Sequence, residues 1–252
     1  MPEEQMARLS LRKGRYVARL AEGPADVLAA QQLRTLTFRG EGAVLDTDAF
    51  DTICQHVLVE ETRTGRLVCC FRLLPLQGGA EIEHSYSAQY YELSGLHGFE
   101  GPLVEMGRFC IHPDVKDPDV LRVAWGAMTK FVDDQNVELL FGCSSFQGTE
   151  ADDYMDAFAL LKDKHLAPKR FLPRIKAPNV FKFAQKLRRN KPDAKRALVG
   201  MPPLLRTYLM MGGWVSDHAV VDRDLNTLHV FTGLEINAIP PSRKRLLRAT
   251  AG

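Results

Sequence analysis

Two charged residues, three positions apart, interrupt an otherwise apolar stretch of the chain. The stretch LVEMGRFCIHPD, residues 103–114, has the composition of a buried strand, yet it contains Glu105 and Arg108. A buried carboxylate or guanidinium costs several kcal/mol of desolvation unless it is paired, hydrogen-bonded or faces a polar cavity. Burial also raises the pKa of a carboxylate, which suits a general base. The pair therefore either projects from a sheet edge into water or belongs to a catalytic site.

Other charged residues upstream could bind a polar substrate. Arg34 lies in LRTLTFRGEG, Asp48 and Asp51 lie in DTDAFD, and Arg72 lies in CFRLLP. A guanidinium suits a substrate carboxylate, and an aspartate suits a cationic amine. The two aspartates could instead cap a helix or turn, which is a common role of Asp.

The composition is that of an ordinary globular protein. The chain has 252 residues, of which 45% are hydrophobic and 25% are charged, enough for one large domain or two small ones. It has no run of about 18 apolar residues, and charges occupy the N-terminal positions where a signal peptide needs an apolar core. We therefore expect a cytoplasmic protein that does not span a membrane.

Neither the cysteines nor the histidines show the spacing of a metal site. The five cysteines lie on apolar segments without a CxxC pair, and the seven histidines include no HxxxH or HExxH pattern. The cysteines are expected to be small buried hydrophobic side chains rather than disulfides or zinc ligands. No metal is predicted.

Positive charge is concentrated in residues 162–196, which we call the basic tract. It contains thirteen Lys or Arg against two Asp, an excess of eleven, whereas the net charge of the whole chain is +2. Such an excess predicts contact with an acidic protein, an anionic membrane surface or a nucleic acid. A solvated face without a partner is the alternative. The residues expected to make the contact are Lys169, Arg170, Arg174, Lys176, Lys182, Lys186, Arg188 and Arg189.

Aromatic residues are interleaved with the charges of the basic tract. Phe171, Phe181 and Phe183 are spaced among the lysines and arginines. On a membrane surface, aromatic side chains beside cations act as interfacial anchors. We therefore expect these three side chains to be exposed if the tract lies on lipid.

The hydrophobic pattern predicts an α/β fold. A strand at RYVARL, a helix from Pro24 and a β-hairpin precede the strand that carries Glu105. An amphipathic helix follows, then the apolar strand VELLFGCSSF, another helix, the basic tract, a short helix and a late hairpin. This order fits a mixed, twisted sheet with helices on both faces.

We expect a single domain over residues 1–252. Its predicted parts are an N-terminal core with the catalytic strand (15–160), a basic helical insertion (161–200), and a C-terminal helix and hairpin that complete the sheet (201–240).

The order of elements resembles the GNAT-type acyltransferase fold. The motifs with Arg34 and Phe38, Asp48 and Asp51, Arg72, and Glu105 with Arg108 are similar in order and spacing to those of the acyl-homoserine-lactone synthases. The segments GCSSFQGTE, PPLLRTYLMMGGWV and AVVDRDLNTLHVF more closely resemble the ornithine lipid synthases, which are L-ornithine N-alpha-acyltransferases. The resemblance covers residues 15–240.

The resemblance implies transfer of a 3-hydroxyacyl group from acyl carrier protein to the α-amine of ornithine, giving lyso-ornithine lipid. Glu105 would remove a proton from the amine, because an ammonium has no lone pair with which to attack a thioester. Arg108 would hold Glu105 in place or bind the carboxylate of the acceptor. The backbone N–H groups of Phe109 and Cys110, where a GNAT-like sheet splays, would bind the developing oxyanion. The expected substrate-binding residues are Arg34, Phe38, Asp48, Asp51, Arg72, Ser144 and Ser145.

Acyl carrier protein is the expected donor because the coenzyme A loop of this fold is missing. Coenzyme A users of the fold usually present a glycine-rich loop that binds the pyrophosphate. The corresponding segment here, HPDVKDPDVLRVAWG, is acidic and lacks those glycines. The acyl group would arrive on the phosphopantetheine of the carrier, with no bound cofactor. The acidic carrier would contact the basic tract, and peripheral contact with the anionic inner membrane is the second expected use of the tract.

Three alternatives stay open at this point. The acceptor could be glutamine, because the chain reads CSSFQGTEA where the ornithine enzymes tend to read CASFPGTDP. An S-adenosylmethionine acceptor would make the chain an acyl-homoserine-lactone synthase. A basic module that binds nucleic acid or lipid without catalysis would explain the basic tract but not Glu105 and Arg108, so we expect no nucleic-acid partner.

Overall fold

The computed structural model describes residues 9–251. In chain order its helices and strands are β1 (Ser10–Lys13), β2 (Tyr16–Leu20), α1 (Pro24–Phe38), β3 (Gln55–Glu61), β4 (Leu67–Leu76), β5 (Tyr91–Glu92), β6 (Leu103–Ile111), α2 (Pro118–Asp134), β7 (Leu139–Gln147), α3 (Met155–Lys164), β8 (Arg174–Ile175), β9 (Val180–Phe181), α4 (Phe183–Lys186), α5 (Ala194–Gly200), α6 (Pro203–Met210), β10 (Trp214–Val215), β11 (Ala219–Asp222), β12 (Thr227–Glu235) and α7 (Pro241–Ala251). Short 3₁₀ turns, among them 49–52 and 87–89, connect several of these elements.

The chain divides into two compact units. Among the described residues, unit 1 comprises 9–74, 106–136 and 241–251, and unit 2 comprises 75–105 and 137–240. The division falls within β6, so Glu105 belongs to unit 2 and Arg108 to unit 1.

Unit 1 contains antiparallel strands in the order β1-β2-β3-β4. β3 and β4 form the predicted hairpin, whose turn uses Gly65 at a φ of 69°, a conformation that glycine adopts without strain. Helix α1 begins with Pro24 in its first turn, as predicted, because the fixed φ of proline suits that position. Helix α2 buries the predicted apolar face, including Trp125 and Met128.

The strands of unit 2 follow the order β6-β7-β12-β11-β9, and β10 also pairs with β12. β6 and β7 are parallel over Leu103–Glu105, whereas β7 and β12 are antiparallel along their whole length. The predicted mixed sheet is therefore confirmed. Helix α3 packs Phe158 and Leu161 into the apolar core of this unit, where they meet Leu205 of α6 and Val230 of β12.

The later part of the chain is less regular than the sequence pattern indicates. The basic tract is only partly helical, because Pro168, Pro173 and Pro178 interrupt its hydrogen bonding and leave two short helices and two-residue strands. The segment 214–234 holds three strands instead of the two expected, since 216–218 separates β10 from β11. β11 and β12 form a hairpin with Asn226 in the turn at a φ of 50°.

Candidate active site

Glu105 is the last residue of β6 that pairs with β7, where its register partner is Phe141. The residue is 4% exposed. The backbone N–H groups of Tyr86 and Ser87 donate to its two carboxylate oxygens at 2.7 Å each, and the Ser87 hydroxyl donates at 2.5 Å. Donors of this kind stabilise the ionised carboxylate and fix its orientation. The carboxylate of Glu105 is therefore buried and held in one geometry.

The alternation of side chains along β7 places some of its residues on the face that carries Glu105. Because Phe141 lies opposite Glu105, the residues two and four positions later, Cys143 and Ser145, share that face. Ser87 Oγ is 3.5 Å from Cys143 Sγ.

The two serines predicted to bind substrate therefore have different surroundings. Ser145 lies on the Glu105 face and is exposed. Ser144 points to the opposite face, is 4% exposed, and accepts a hydrogen bond from the Thr232 hydroxyl at 2.9 Å. Ser145 therefore shares the face of Glu105 and Ser144 does not, and the substrate-binding role expected of both serines stays a prediction.

Tyrosine side chains of the segment that binds Glu105 contact one another and a histidine. The hydroxyls of Tyr86 and Tyr90 are 3.2 Å apart, and the Tyr90 ring packs edge-on against His229 with 5.0 Å between centroids. Tyr91 donates to the carbonyl of His229 at 2.8 Å. Burial and the neighbouring His218 lower the pKa of His229 to about 3. His229 is therefore neutral at physiological pH and cannot serve as an acid in its imidazolium form.

In unit 1, the predicted arginines and aspartates form a buried ion-pair network, which we call the Arg-Asp cluster. Its members are Arg34, Arg72, Arg108, Asp46, Asp48 and Asp51. Arg34 is 1% exposed, and its Nε donates to Asp46 at 2.9 Å. Its two terminal nitrogens donate to the two oxygens of Asp51 at 2.7 and 2.9 Å. One guanidinium thus holds two carboxylates, one of them by the bidentate geometry that gives strong pairing.

Arg72 binds the same group of carboxylates from β4. One of its terminal nitrogens donates to Asp48 and, at 2.8 Å, to Asp51, and the other donates to Asp48 at 3.0 Å. Asp48 also caps the 3₁₀ turn 49–52 by accepting from the N–H of Phe50 at 2.9 Å. The capping interpretation of these aspartates is therefore confirmed, and their expected role in binding the substrate stays a prediction.

Arg108 is the member of the Arg-Asp cluster that comes from β6. It adopts a φ of 53°, a left-handed conformation that costs a residue other than glycine about 1 kcal/mol. It donates to Asp46 and Asp48 at 3.1 Å each. Arg108 and Asp48 have the most exposed side chains of the cluster, 10% and 22%, against 6% or less for the others. These bonds assign Arg108 to the cluster, and its expected roles, holding Glu105 in place or binding the carboxylate of the acceptor, stay predictions.

The arginines keep the aspartates of the Arg-Asp cluster ionised. Burial alone would raise the pKa of Asp51, but hydrogen bonds from Arg34, Gln31 and Arg72 lower it strongly. The pKa of Asp48 is also lowered, because the hydrogen bond and charge of Arg72, together with the charge of Arg108, outweigh the effect of burial. Asp48 and Asp51 therefore stay ionised at any pH near neutrality.

The remaining predicted residues of unit 1 lie in apolar surroundings. Phe38 packs against a small cluster that includes Cys70 and Cys110, whose sulfurs are 3.5 Å apart. The ring of Phe109 stacks on Phe71 at 5.7 Å between centroids. The predicted oxyanion role of Phe109 and Cys110 concerns their backbone N–H groups and stays a prediction. Within residues 9–251, no group of three or more His, Cys, Asp and Glu side chains could hold a metal ion.

The structure separates the basic tract into two parts. The proximal part, residues 169–176, contacts the segment that holds Glu105, because Lys176 donates to the Ala88 carbonyl at 2.6 Å and β8 pairs with β5. Arg170 and Arg174 are exposed but approach the acidic side chains of Glu235 and Glu92, at 3.5 and 3.6 Å. The distal part, residues 182–196, contains α4 and the first residues of α5.

The three phenylalanines of the basic tract are core residues, so their predicted role as interfacial anchors is wrong. Phe183 is 0% exposed and stacks on Phe158, and Phe171 is 9% exposed and stacks on Trp214. Phe181 is partly buried against the core of unit 2. Their apolar surface is used to fix the irregular tract to unit 2. In the described part of the chain, no helix combines the length and apolar character needed to cross a bilayer.

Three residues of these sites were not expected from the sequence. Asp46 precedes Asp48 by two positions in the same acidic segment, so the Asp-x-Asp spacing could have indicated it. His229 interrupts the apolar strand β12 just as Glu105 interrupts β6, which is the same signal. Ser87 lies in an irregular segment 18 residues before Glu105, and no sequence pattern connects the two.

Comparison with known proteins identifies the family. A family model described as an acetyltransferase (GNAT) domain matches residues 33–126. An L-ornithine N(alpha)-acyltransferase of Rhodobacter capsulatus is 33% identical over 239 residues, which cover 89% of this chain and 91% of the relative. An L-ornithine N(alpha)-acyltransferase of Brucella abortus is 29% identical over 246 residues, covering 90% and 87%. Among solved structures, an uncharacterized protein from Bacillus halodurans has a TM-score of 0.50 at 9% identity over 99% of this chain and 100% of that chain.

These matches confirm the GNAT-like fold and the resemblance found in the motifs. The family match spans the last part of α1, the β3–β4 hairpin and β6, and therefore includes Arg34, Arg72, Glu105 and Arg108. The protein is an acyltransferase, and the chain belongs to the family of the L-ornithine N-alpha-acyltransferases.

Proposed function

We propose that the protein transfers a 3-hydroxyacyl group from acyl carrier protein to the α-amine of ornithine, forming lyso-ornithine lipid. The observation that carries this proposal is the geometry of Glu105, a buried carboxylate whose ionised form is stabilised by three hydrogen-bond donors. The similarity to two L-ornithine N(alpha)-acyltransferases supports the choice of acceptor.

Glu105 acts as the general base. The α-amine of an amino acid is mostly an ammonium at neutral pH and must lose a proton before its nitrogen can attack the thioester carbonyl. Glu105 takes that proton directly or through a water, a contribution of about 10²–10⁴-fold in rate. The new C–N bond forms, the C–S bond breaks, and the phosphopantetheine thiol leaves with a proton. The donors from Tyr86 and Ser87 keep the carboxylate oriented during this exchange.

The exposed edge of the Arg-Asp cluster offers the two charges that ornithine requires. Asp48 is ionised and partly exposed and suits the side-chain ammonium, while Arg108 presents a guanidinium that suits the carboxylate. Asp51 is 6% exposed and already binds Arg34 and Arg72, so it positions the cluster instead of contacting the acceptor. Glutamine would place a neutral amide against Asp48, which favours ornithine as the acceptor.

The start of α2 supports a carrier-bound donor instead of a nucleotide. Asp117 caps this helix, and Asp119 lies in its first turn. Hydrogen bonds, the first of them from Arg15, lower the pKa of Asp117 to about 2. Negative charge at a helix N-terminus opposes binding of a pyrophosphate there. Phosphopantetheine on a carrier brings no such group, and the exposed cations of the proximal part suit an acidic carrier.

The test is an endpoint assay of the purified protein read by the mass of the acylated product. Ornithine and glutamine are supplied in parallel, each with a 3-hydroxyacyl carrier protein and, separately, with the same acyl group on coenzyme A. We expect acyl-ornithine from the carrier and little product from coenzyme A. Product from glutamine alone would overturn the acceptor, and equal use of coenzyme A would overturn the donor. Asp48→Asn should raise the KM for ornithine about tenfold, the effect of one lost interaction of about 1.4 kcal/mol.

A further inference from the structure

One surface of unit 2 exposes large aliphatic side chains on a short helix. Helix α5 buries Ala197, which is 0% exposed, and presents Leu198 and Val199 to solvent at 50% and 79% exposure. Lys195 lies three and four positions before them, so the three side chains share one face of the helix. Two large aliphatic side chains beside each other at this exposure indicate a surface that contacts something other than water.

Four cations that precede this aliphatic pair in the chain have no acidic partner among the described residues. Arg188, Arg189 and Lys191 precede α5, and together with Lys195 they are exposed. Among the described residues, none of these four cations has an acidic side chain within 4.0 Å. In the proximal part, by contrast, the two arginines have acidic neighbours. The two parts of the basic tract therefore differ in how much of their charge is available to a partner.

The segment that carries this charge is held in a fixed conformation. Lys162 of α3 donates to the carbonyls of Leu187 and Asn190 at 2.9 Å each. Asp193 caps α5, and its N–H donates to Asp156 of α3 at 2.9 Å. The surface is thus formed before any partner binds, which limits the entropy lost on binding.

Acidic residues lie on one side of the surface. A cavity of about 470 Å³ separates Asp152 and Asp153 from Lys195, Arg196 and Val199 of α5. Arg196 is within 3.0 Å of a third acid in α3. Lys195 and Val199 therefore border this acidic wall, whereas Arg188, Arg189, Lys191 and Leu198 lie outside the lining of the cavity.

We infer that Arg188, Arg189, Lys191, Lys195, Leu198 and Val199, which we call the distal face, bind the surface of an anionic lipid bilayer. Cations that have no partner in the protein contact lipid phosphates, and the aliphatic pair enters the headgroup region. The inference does not depend on the proposed acceptor or donor, since it rests on charge and exposure alone. An acidic protein is the competing partner, and the experiment distinguishes the two.

The test is co-sedimentation of the full-length protein with lipid vesicles. We expect binding to phosphatidylcholine vesicles that contain about 30% phosphatidylglycerol, weaker binding to pure phosphatidylcholine, and a decrease with added salt. Because each cation near such a surface contributes about fivefold, changing the four cations of the distal face to Gln should lower the partition coefficient by 10²-fold or more. Leu198→Ser with Val199→Ser should lower it by roughly tenfold.

A matched variant of the proximal part is the control. Changing Lys169, Arg170, Arg174 and Lys176 to Gln removes the same charge. We expect vesicle binding within about threefold of the unchanged protein, because none of these four residues belongs to the distal face. Thermal unfolding midpoints confirm that each variant is folded. Equal loss in both quadruple variants would show a non-specific effect of charge and overturn the inference. An unchanged partition coefficient with a raised KM for acyl carrier protein in the distal variant would assign the distal face to the carrier.

Discussion

The two buried ionic sites of this protein satisfy their carboxylates in different ways. In the Arg-Asp cluster of unit 1, Asp51 accepts hydrogen bonds from the guanidinium groups of Arg34 and Arg72. In unit 2, the hydrogen bonds described for Glu105 come from neutral groups, two backbone N–H groups and the Ser87 hydroxyl. Each neutral donor favours the ionised form of the carboxylate but brings no positive charge, so it opposes proton uptake less than a guanidinium does.

This difference assigns different tasks to the two sites. A carboxylate held by two guanidinium groups is a poor base, because protonation would break strong charge-assisted bonds. The lowered pKa of Asp51, which burial opposes and its partners produce, follows from that arrangement. This arrangement agrees with the proposed roles, in which the Arg-Asp cluster fixes geometry and binds the acceptor at its exposed edge, and Glu105 transfers a proton.

The largest effect should come from removing the charge of Glu105. Glu105→Gln keeps the size of the side chain and one acceptor oxygen but cannot accept the proton of the amine. We expect kcat for acyl transfer to fall by about 10²–10⁴-fold, with the KM for ornithine within about threefold. Steady-state kinetics measure both, and a thermal unfolding midpoint checks the fold. A kcat within tenfold of the unchanged enzyme would remove Glu105 from the role of base.

The next effect concerns stability and tests the Arg-Asp cluster. Arg34→Met leaves Asp46 and Asp51 buried without their main partner, and breaking a buried ion pair costs about 3–5 kcal/mol. Urea unfolding should show a loss of that size. Arg39→Met is the matched control, because Arg39 is 27% exposed and its bonds to Asp46 are 3.4 Å long, so a loss below about 1 kcal/mol is expected. Similar losses in both variants would contradict a network centred on Arg34.

Much of both sites could be predicted from the sequence, because their residues are exceptions to a local pattern. Glu105 and Arg108 interrupt an apolar strand, and Arg34 interrupts the apolar face of α1 beside Leu33. The β3–β4 hairpin and α2 followed from periodicity in the same way. Such signals lie within one element and need no knowledge of its neighbours.

The partners of these residues could not be predicted, because they are set by packing between distant segments. Arg108 adopts a left-handed backbone conformation and donates to Asp46 and Asp48, and no pattern within β6 indicates either feature. Ser87 reaches Glu105 from a 3₁₀ turn with no periodic pattern. The phenylalanines of the basic tract were expected at the surface, but an irregular segment rich in proline needs such apolar anchors to pack on its unit.

On acidification, the contribution of His229 to the free energy of unfolding should fall at a higher pH than that of the aspartates. The pKa of His229 is lowered from 6.5 to about 3 by burial, so the unfolded chain binds a proton that the folded protein does not. Its contribution to stability is greatest above pH 6.5 and falls by roughly 1.4 kcal/mol for each pH unit below that value. Asp48 and Asp51 of the Arg-Asp cluster act in the same direction only below about pH 4, since their pKa values are lowered from 3.8.

The variant His229→Gln isolates this contribution. Urea unfolding at pH 7, 6 and 5 should show a smaller loss of stability on acidification in the variant. His56, whose pKa is also lowered by burial, remains in both proteins and accounts for part of the shared slope. Identical pH dependence with and without His229 would mean that its imidazole is not kept neutral by the fold.

The smallest expected effect is a shift in the pH profile of kcat, and it tests whether Glu105 is the base. Ser87→Ala removes one of three described donors, the hydroxyl at 2.5 Å, and leaves the two backbone N–H groups. A net hydrogen bond contributes about 1 kcal/mol, which corresponds to roughly 0.7 pH unit. Because the lost bond favours the ionised carboxylate, the acidic limb of the pH profile of kcat should move to higher pH by that amount, with the plateau nearly unchanged.

Ser85→Ala is the control for this shift. Ser85 is a buried serine of the same segment whose hydroxyl donates to the Ile82 carbonyl at 2.6 Å, so its loss should lower the unfolding midpoint without moving the limb. A limb that moves equally in both variants would mean that the segment loosens as a whole and that Ser87 acts only through packing. A limb that moves only with Ser87 would show that the ionisation governing the rate is that of the carboxylate this hydroxyl touches, which no effect on stability alone can produce.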